Sequence, residues 1–508
     1  MTRRRSVIVL LGVSSALVLP AACFSSSNAN QPPGPTCNGV KETGSVLLPC
    51  RDAGLPMDAA ITPDGTLAPP DTDAGAGPVD AALPEASPID AAVVPPPKLC
   101  PGTLAIDPTF GMQGVVLDPT YTDQLFDVGF QSTGKIIVSG DTFLTRYNPD
   151  GTIDPTFGQS GYVTLADQNY PESVTILPDD GILVAGGNTS GNGSMCLLGR
   201  LTPDGALDTT FGAGAGTNPC ASLPAAFDIG FSGIVRRPNG SFVGAGTAYP
   251  VTVTDRDFAF IQYDSRGTPD KTFGTGGGAV TGFPTDSPLT AFTLQADGKI
   301  VAVGQGTVER GDMPPNLAVA RLNVDGSLDP TFGTGGRVAL NIPAAFGEPT
   351  SVAVQSTGGI VIATQAGTIT DQFTVVRLTP TGQLDATFGT AGVASAGFFG
   401  DRDDAVALTL LADDSMLVGG RVGVASDDAG DTLAQFGLVH LLPSGALDTS
   451  FGTGGKLFTP FPTLDQGTEY ATQKVQANGA VVSAGTGGIL DDGGNVLIRP
   501  LLVRYACH

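Results

Sequence analysis

Among the 508 residues there is no tryptophan, and only two histidines, His440 and His508, occur. That scarcity makes a protein zinc site or a Ser-His-Asp arrangement hard to assemble, and it removes the tryptophan docking motifs on which quinoprotein propellers rely. Positive charge is short as well, with 25 Lys+Arg against 49 Asp+Glu and a net charge of -24. Nucleic acid is excluded as a partner by that balance, because phosphate binding rests on cationic neutralisation. No basic amphipathic stretch follows the N-terminal residues, so the body of the chain has no means of holding anionic lipid. Long helices are disfavoured too, since 71 Gly and 40 Pro leave turns and short strands as the dominant structure.

The one marked apolar run is at the start. "MTRRRSVIVLLGVSSALVLPAAC" places three arginines before Val7–Leu19 and small residues before Cys23, the layout of an export signal over residues 1–22. Its apolar stretch is too short to span a bilayer. A cysteine directly after Ala21 and Ala22 resembles the lipobox of bacterial lipoproteins, although Pro20 stands where leucine is usual. The resemblance implies lipidation of Cys23, a membrane anchor for the mature chain and a place in the bacterial cell envelope. Phe24 rather than Asp after the anchor points to the outer membrane. The alternative is ordinary secretion with Cys23 free or removed. Residues 23–98 are rich in Pro, Ala, Asp and Ser and cannot bury enough apolar surface to offset their ordering entropy. They read as an extended tether.

From residue 99 onward one phrase returns seven times, in forms such as "TIDPTFG", "SLDPTFG" and "ALDTSFG". Its phenylalanines are Phe110, Phe157, Phe211, Phe273, Phe332, Phe388 and Phe451, at intervals of 47, 54, 62, 59, 56 and 63 residues. Its aspartates are Asp107, Asp154, Asp208, Asp270, Asp329, Asp385 and Asp448. A period of this size marks a supersecondary unit stacking on its neighbours. Between Phe332 and Phe388 lie four short apolar runs, "RVAL", "SVAVQ", "GIVIAT" and "FTVVRL", which read as strands. The third type of run, seen again as "KIIVSG" and "KIVAVG", is continuously apolar, as for a strand covered on both faces. Four-stranded units of this kind describe an all-β propeller of seven blades over residues 99–508, with a β-solenoid as the alternative. The phenylalanine is expected to plug the seam between blades, and the aspartate to hold the "TFG" turn.

The final unit ends at "LLVRYACH" without the turn phrase, and "LCPGTLAIDPTFG" supplies it from the other end. Cys507 stands three residues after Arg504, as Pro149 does after Arg146. Cys100 stands two before Gly102, as Pro149 does before Gly151. The count therefore puts both cysteines on one repeat position, where a disulfide would close the ring. Setting Cys23 aside leaves six cysteines, which allow fifteen connectivities. With Cys100–Cys507 taken from the register, Cys196 and Cys220 are expected to bridge locally, and Cys37 and Cys50 within the tether.

The phrase "DG-x-LD-x-TFG", followed by "G-x-V" and "Q-x-x-GKI-x-V-x-G", resembles the bacterial delta-60 repeat family, and "LNVDGSLDPTFGTGGRV" is the nearest copy here. The resemblance covers Thr103 to Tyr505. It implies a repeat architecture and carries no common activity.

Candidate chemistry is sparse. Arg146, Arg200, Arg321, Arg377 and Arg504, with Gln262 and His440 in the other two units, precede the turn. They read either as the lining of an anion channel or, better, as structural ion pairs with the repeated aspartates. "DRDD" (401–404), "SDDAGD" (426–431) and "LDDGGN" (490–495) offer carboxylates. None has the D-x-D-x-D-G spacing of a calcium loop, so no cofactor is expected, with calcium as the one candidate. "GNGSMC" and "GTGGG" lack a following helix pattern and read as turns. No catalytic residue is assigned. Two functions fit: a binding or structural module meeting an extracellular protein or glycan, or an enzyme acting on saccharide or ester through channel-mouth carboxylates. The insertions Tyr249–Asp257 and Glu309–Asn316 are the loops expected to shape either site.

Overall fold

The computed structural model describes residues 96–508, apart from 123, 166–168, 189–195, 213–226, 251–255, 284–285, 307–315, 341, 343–345, 367–371, 400–402, 425–432, 462–463, 465–466 and 492–493. Cys23, Cys37, Cys50 and Cys220 lie outside these residues, as do most of both insertions. Every regular element among the described residues is a strand. The strands form seven antiparallel sheets, one for each repeat. Blade 4 is typical, with Leu289–Leu294, Ile300–Gly306, Asn316–Leu322 and Arg337–Leu340 pairing in chain order. The first strands of the other blades are Leu125–Phe130, Asn169–Ile176, Phe227–Arg236, Phe346–Val354, Asp404–Leu410 and Thr468–Val475. Each touches the next, and Thr468–Val475 returns to Leu125–Phe130. That last contact closes the ring and overturns the solenoid alternative.

The continuously apolar run forms the second strand of each blade, and in Ile136–Gly140 every residue is buried. Neighbouring sheets cover both of its faces, so polar alternation has no place there. The core is seven clusters rather than one. Each spans two adjacent blades, and each contains one phenylalanine of the repeated phrase. Six of these rings are at most 1 % exposed, and Phe451 is 7 % exposed. The glycine of the next unit's turn makes the fit possible. Gly151 has φ of 87°, and a Cβ there would lie 3.0 Å from the Phe110 ring and 2.8 Å from the Gly111 nitrogen.

Blade 7 is assembled from both ends of the body. Its third strand, Val496–Cys507, pairs with Leu104–Ile106 and Val115–Leu117. Cys100 and Cys507 are joined by a disulfide with Cα atoms 5.9 Å apart. The count of positions that pointed to this pair needs correction. Tyr505 faces Ile106 as Tyr147 faces Ile153, but the ladder then runs on, with Ala506 opposite Ala105 and Cys507 opposite Leu104. Leu104, not Gly102, thus holds the place of Gly151. Two separate chain ends need no tight turn between them, so the strands continue pairing and Cys100 folds back onto the Gly479 carbonyl, 3.2 Å from its amide. The ordered body also begins before residue 99, since the Ala412 amide donates to the Pro97 carbonyl at 2.9 Å. Cys196 is disulfide-bonded as well.

Candidate functional site: a bulged ring in the central channel

The arginines face the seams. Arg146, Arg321, Arg377 and Arg504 pair with Asp154, Asp329, Asp385 and Asp107 at 2.8–2.9 Å, and each lies over the phenylalanine of its own phrase at 4.6–4.9 Å. Each also donates to a proline carbonyl in the next unit's turn: Pro203, Pro380, Pro443 and Pro149 respectively. One side chain thereby holds a turn, a ring and the neighbouring blade, the role of a structural clamp. Arg200 reaches Asp208 at 3.4 Å, and Gln262 donates to Asp270 at 2.8 Å. In that third blade Arg237 takes the position of Gln131 and Gln355, and it donates to the Gly298 and Val324 carbonyls of the next blade. The arginine and the glutamine have changed places there. The aspartates hold the turn as expected, with Asp154 accepting from the Thr156 amide and hydroxyl at 3.1 and 2.7 Å.

Blade 6 corrects one sequence expectation. His440 lies 2.9 Å from Asp448 and 3.0 Å from the Ser415 hydroxyl, so serine, histidine and aspartate do meet. Ser415 is fully buried and donates to Asp413 at 2.5 Å. It occupies the position of Lys135 and Lys299, which pair with Asp154 and Asp329. No substrate can reach that hydroxyl, and the trio is the blade 6 version of the clamp.

What faces the channel comes from a different device. In every blade the first strand carries a β-bulge against the second. A bulge inserts one residue and re-aims its side chain. The inserted residues are Phe126, Glu172, Ser232, Thr290 and Ala471, with Thr350 and Val406 at the same place in blades 5 and 6. The first five line a cavity of about 480 Å³, together with Gln124, Glu469, Tyr470 and Thr486. The repeat's "V-x-G" glycine makes room for the bulge. A Cβ on Gly246 would sit 1.8 Å from the Gly230 carbonyl oxygen, and six of the seven blades have glycine at this place. Blade 5 has the buried Thr364 instead.

Among the described residues neither Glu172 nor Glu469 has a hydrogen-bonded or ion-paired side-chain partner. Glu172 is open to channel space yet walled by protein, and burial pushes its carboxyl up to about 7. Sequence reasoning anticipated channel carboxylates without naming these two. The signal was the conserved spacing of that glycine within the internal repeats, which marks where one strand must crowd another. The acidic loop 426–431 lies outside the described residues, and 401–404 and 490–495 are partly described. Asp403 accepts from the Phe398 and Gly423 amides, burial raises it to about 6, and Asp404 pairs with Arg421. No group of three or more metal-ligating side chains occurs among the described residues.

The chain is a seven-bladed β-propeller repeat protein. A family described as "Domain of unknown function (DUF5122) beta-propeller" matches residues 131–157, 177–211, 295–332 and 355–388. These lie in blades 1, 2, 4 and 5. The unmatched units are the two where Gln262 and His440 replace the arginine and the one closed by both chain ends. Similar solved structures include a protein of unknown function from Dyadobacter fermentans, at 12% identity and TM-score 0.41, covering 80% of this chain and 100% of that one. Another, from Bacteroides caccae, has 13% identity and TM-score 0.31, covering 53% and 86%. A gluconolactonase from Xanthomonas campestris has 10% identity and TM-score 0.33, covering 64% and 93%. At such values no activity passes from those proteins to this chain. No curated protein matches it.

Proposed function

We propose that this is an exported, lipid-anchored protein of the bacterial cell envelope whose propeller is a binding module, with the ligand seated in the central channel. The observation that carries the reading is the bulged ring. The aspartate and phenylalanine of the unit recur at all seven places, whereas the ring residues are of six different kinds. A scaffold that repeats its supports and varies only what it presents inward has the organisation of a recognition surface. The N-terminal signal and Cys23 supply the anchor, and extracellular proteins and glycans are the partners within its reach.

Two measurements test this. Cys23→Ser should move the protein from the membrane fraction to the soluble fraction with the propeller still folded. Protein that stays membrane-bound would defeat the anchor. The full chain should capture a ligand on a protein and glycan array, with and without calcium, and Ala471→Tyr, which fills the channel, should abolish capture. Capture unchanged by Ala471→Tyr would move the site off the channel.

The unpaired Glu172, lining the same cavity as Glu469, favours one second reading, an enzyme on saccharide or ester. A carboxyl raised to about 7 suits a general acid at neutral pH. Turnover of chromogenic glycosides or esters, lost in Glu172→Gln, would select it.

A further inference from the structure

Resting on the reading of the channel as the binding site, we infer that the bulged ring is a seat for a small aliphatic ammonium ion, held by Glu172 against the face of Phe126. Phe126 comes from blade 1, Glu172 from blade 2 and Glu469 from blade 7, so an aromatic residue and two carboxylates from three consecutive blades of the ring line one cavity. An ammonium ion is attracted both to an aromatic face and to a carboxylate.

The hydroxyls nearby are already committed. Ser232 donates to the Leu289 carbonyl, Thr290 donates to the Val303 carbonyl, Thr486 accepts from the Leu125 amide, and Tyr470 bonds Gln473 and Ser483. The uncommitted polar side chains of the cavity are therefore Glu172, Glu469 and Gln124. The two carboxylates do not make a group of three or more metal-ligating side chains, none of which occurs among the described residues, and the aromatic wall offers a hard metal ion nothing. A neutral polyol would leave both carboxylates without a counter-charge, whereas a cation gains a charge-assisted contact with each. An alkylammonium satisfies the charge, donates up to three hydrogen bonds and lays its chain on the apolar wall of Leu125 and Ala471.

The test is titration calorimetry of the full chain with butylammonium chloride, using n-butanol as the neutral isostere and calcium chloride as the competing ion. Butylammonium should bind at least tenfold more tightly than butanol, and millimolar calcium should not displace it. Glu172→Gln should weaken binding by about tenfold or more, as expected for loss of a charge-assisted contact, and Phe126→Leu by about fivefold. Glu348→Gln, on blade 5 and outside the cavity lining, should leave affinity unchanged, with circular dichroism confirming that each variant is folded. Equal binding of butanol, displacement by calcium, or equal losses in Glu348→Gln and Glu172→Gln would overturn the ammonium seat. Absence of any amine binding would overturn it too. Array capture sensitive to Ala471→Tyr would then still stand, so the two readings fail separately.

Discussion

Phe332 shows what one residue of the repeated phrase contributes. Its ring is fully buried in the cluster between blades 4 and 5, with Arg321 4.6 Å above it. Phe332→Ala should destabilise by about 3–5 kcal/mol, the usual cost of deleting a buried phenyl group, and denaturant unfolding measures it. Glu172 works in the opposite sense. Its carboxyl is raised from 4.5 to about 7 in the folded protein. Between those values the native state holds more protons than the unfolded chain, so its contribution to stability falls as pH rises from about 4.5 to 7 and is level above. Asp403, raised to about 6, acts with the same sign, and Glu469 is the other carboxyl lining the cavity. Glu172→Gln should therefore match the native protein in melting temperature near pH 4.5 and exceed it at pH 8. Equal melting temperatures at both pH values would mean that the channel does not desolvate this group.

At the level of the strand, the bulge and the glycine opposite it are a single unit. Gly246 stands where a methyl group would meet the Gly230 oxygen at 1.8 Å. Gly246→Ala must push the first strand of blade 3 inward or straighten its bulge, at about 1–3 kcal/mol by analogy with overpacked cores. Ser232 would then leave its place in the ring. Thermal denaturation gives the cost, and loss of ligand capture without unfolding gives the displacement. Little of this device could be read in advance. Strands, turns and the buried phenylalanines follow from apolar periodicity and Asp-Gly spacing, which are local. A bulge breaks the two-residue alternation within a short strand such as "LFDVGF", and only pairing with the second strand shows which residue is extra. The meeting of Ser415, His440 and Asp448 escaped for a related reason. Two of its members are 25 residues apart, and they meet because adjacent strands align.

For the whole molecule, closure is the weak point of a ring built from one chain. Blade 7 depends on Leu104–Ile106 and Val115–Leu117 pairing with Val496–Cys507, locked by Cys100–Cys507 across 407 residues. A loop of that length corresponds to about 6 kcal/mol in the chain-entropy treatment, and measured gains usually fall short of it. Replacing both cysteines with serine should lower the melting temperature and expose blade 7 and the N-terminal strands to protease before blades 3 to 5. Uniform proteolysis of all blades would show that the seams, not the disulfide, set the order of opening. The wider charge pattern predicts acid sensitivity. Asp154 and Asp329 are held well below the usual carboxylate range: burial opposes this, but Lys135 and Lys299, the threonines of their turns and Arg146 and Arg321 outweigh it. The stability they provide is present above about pH 3.8 and declines below it.

By itself the sequence determined the seven-fold unit, its strands, the residues that plug and clamp the seams, and the chemistry of the two ends that had to meet. Each of these rests on spacing along the chain, and a repeat states its spacing seven times. Only the tertiary structure decided that the ring closes, that the closing strands run past the place of the usual turn, and that five of the seven bulged residues line one channel cavity. Those features depend on which strands lie side by side, and convergence on an axis comes from the angle between packed sheets, a property of the assembled blades that no single unit carries.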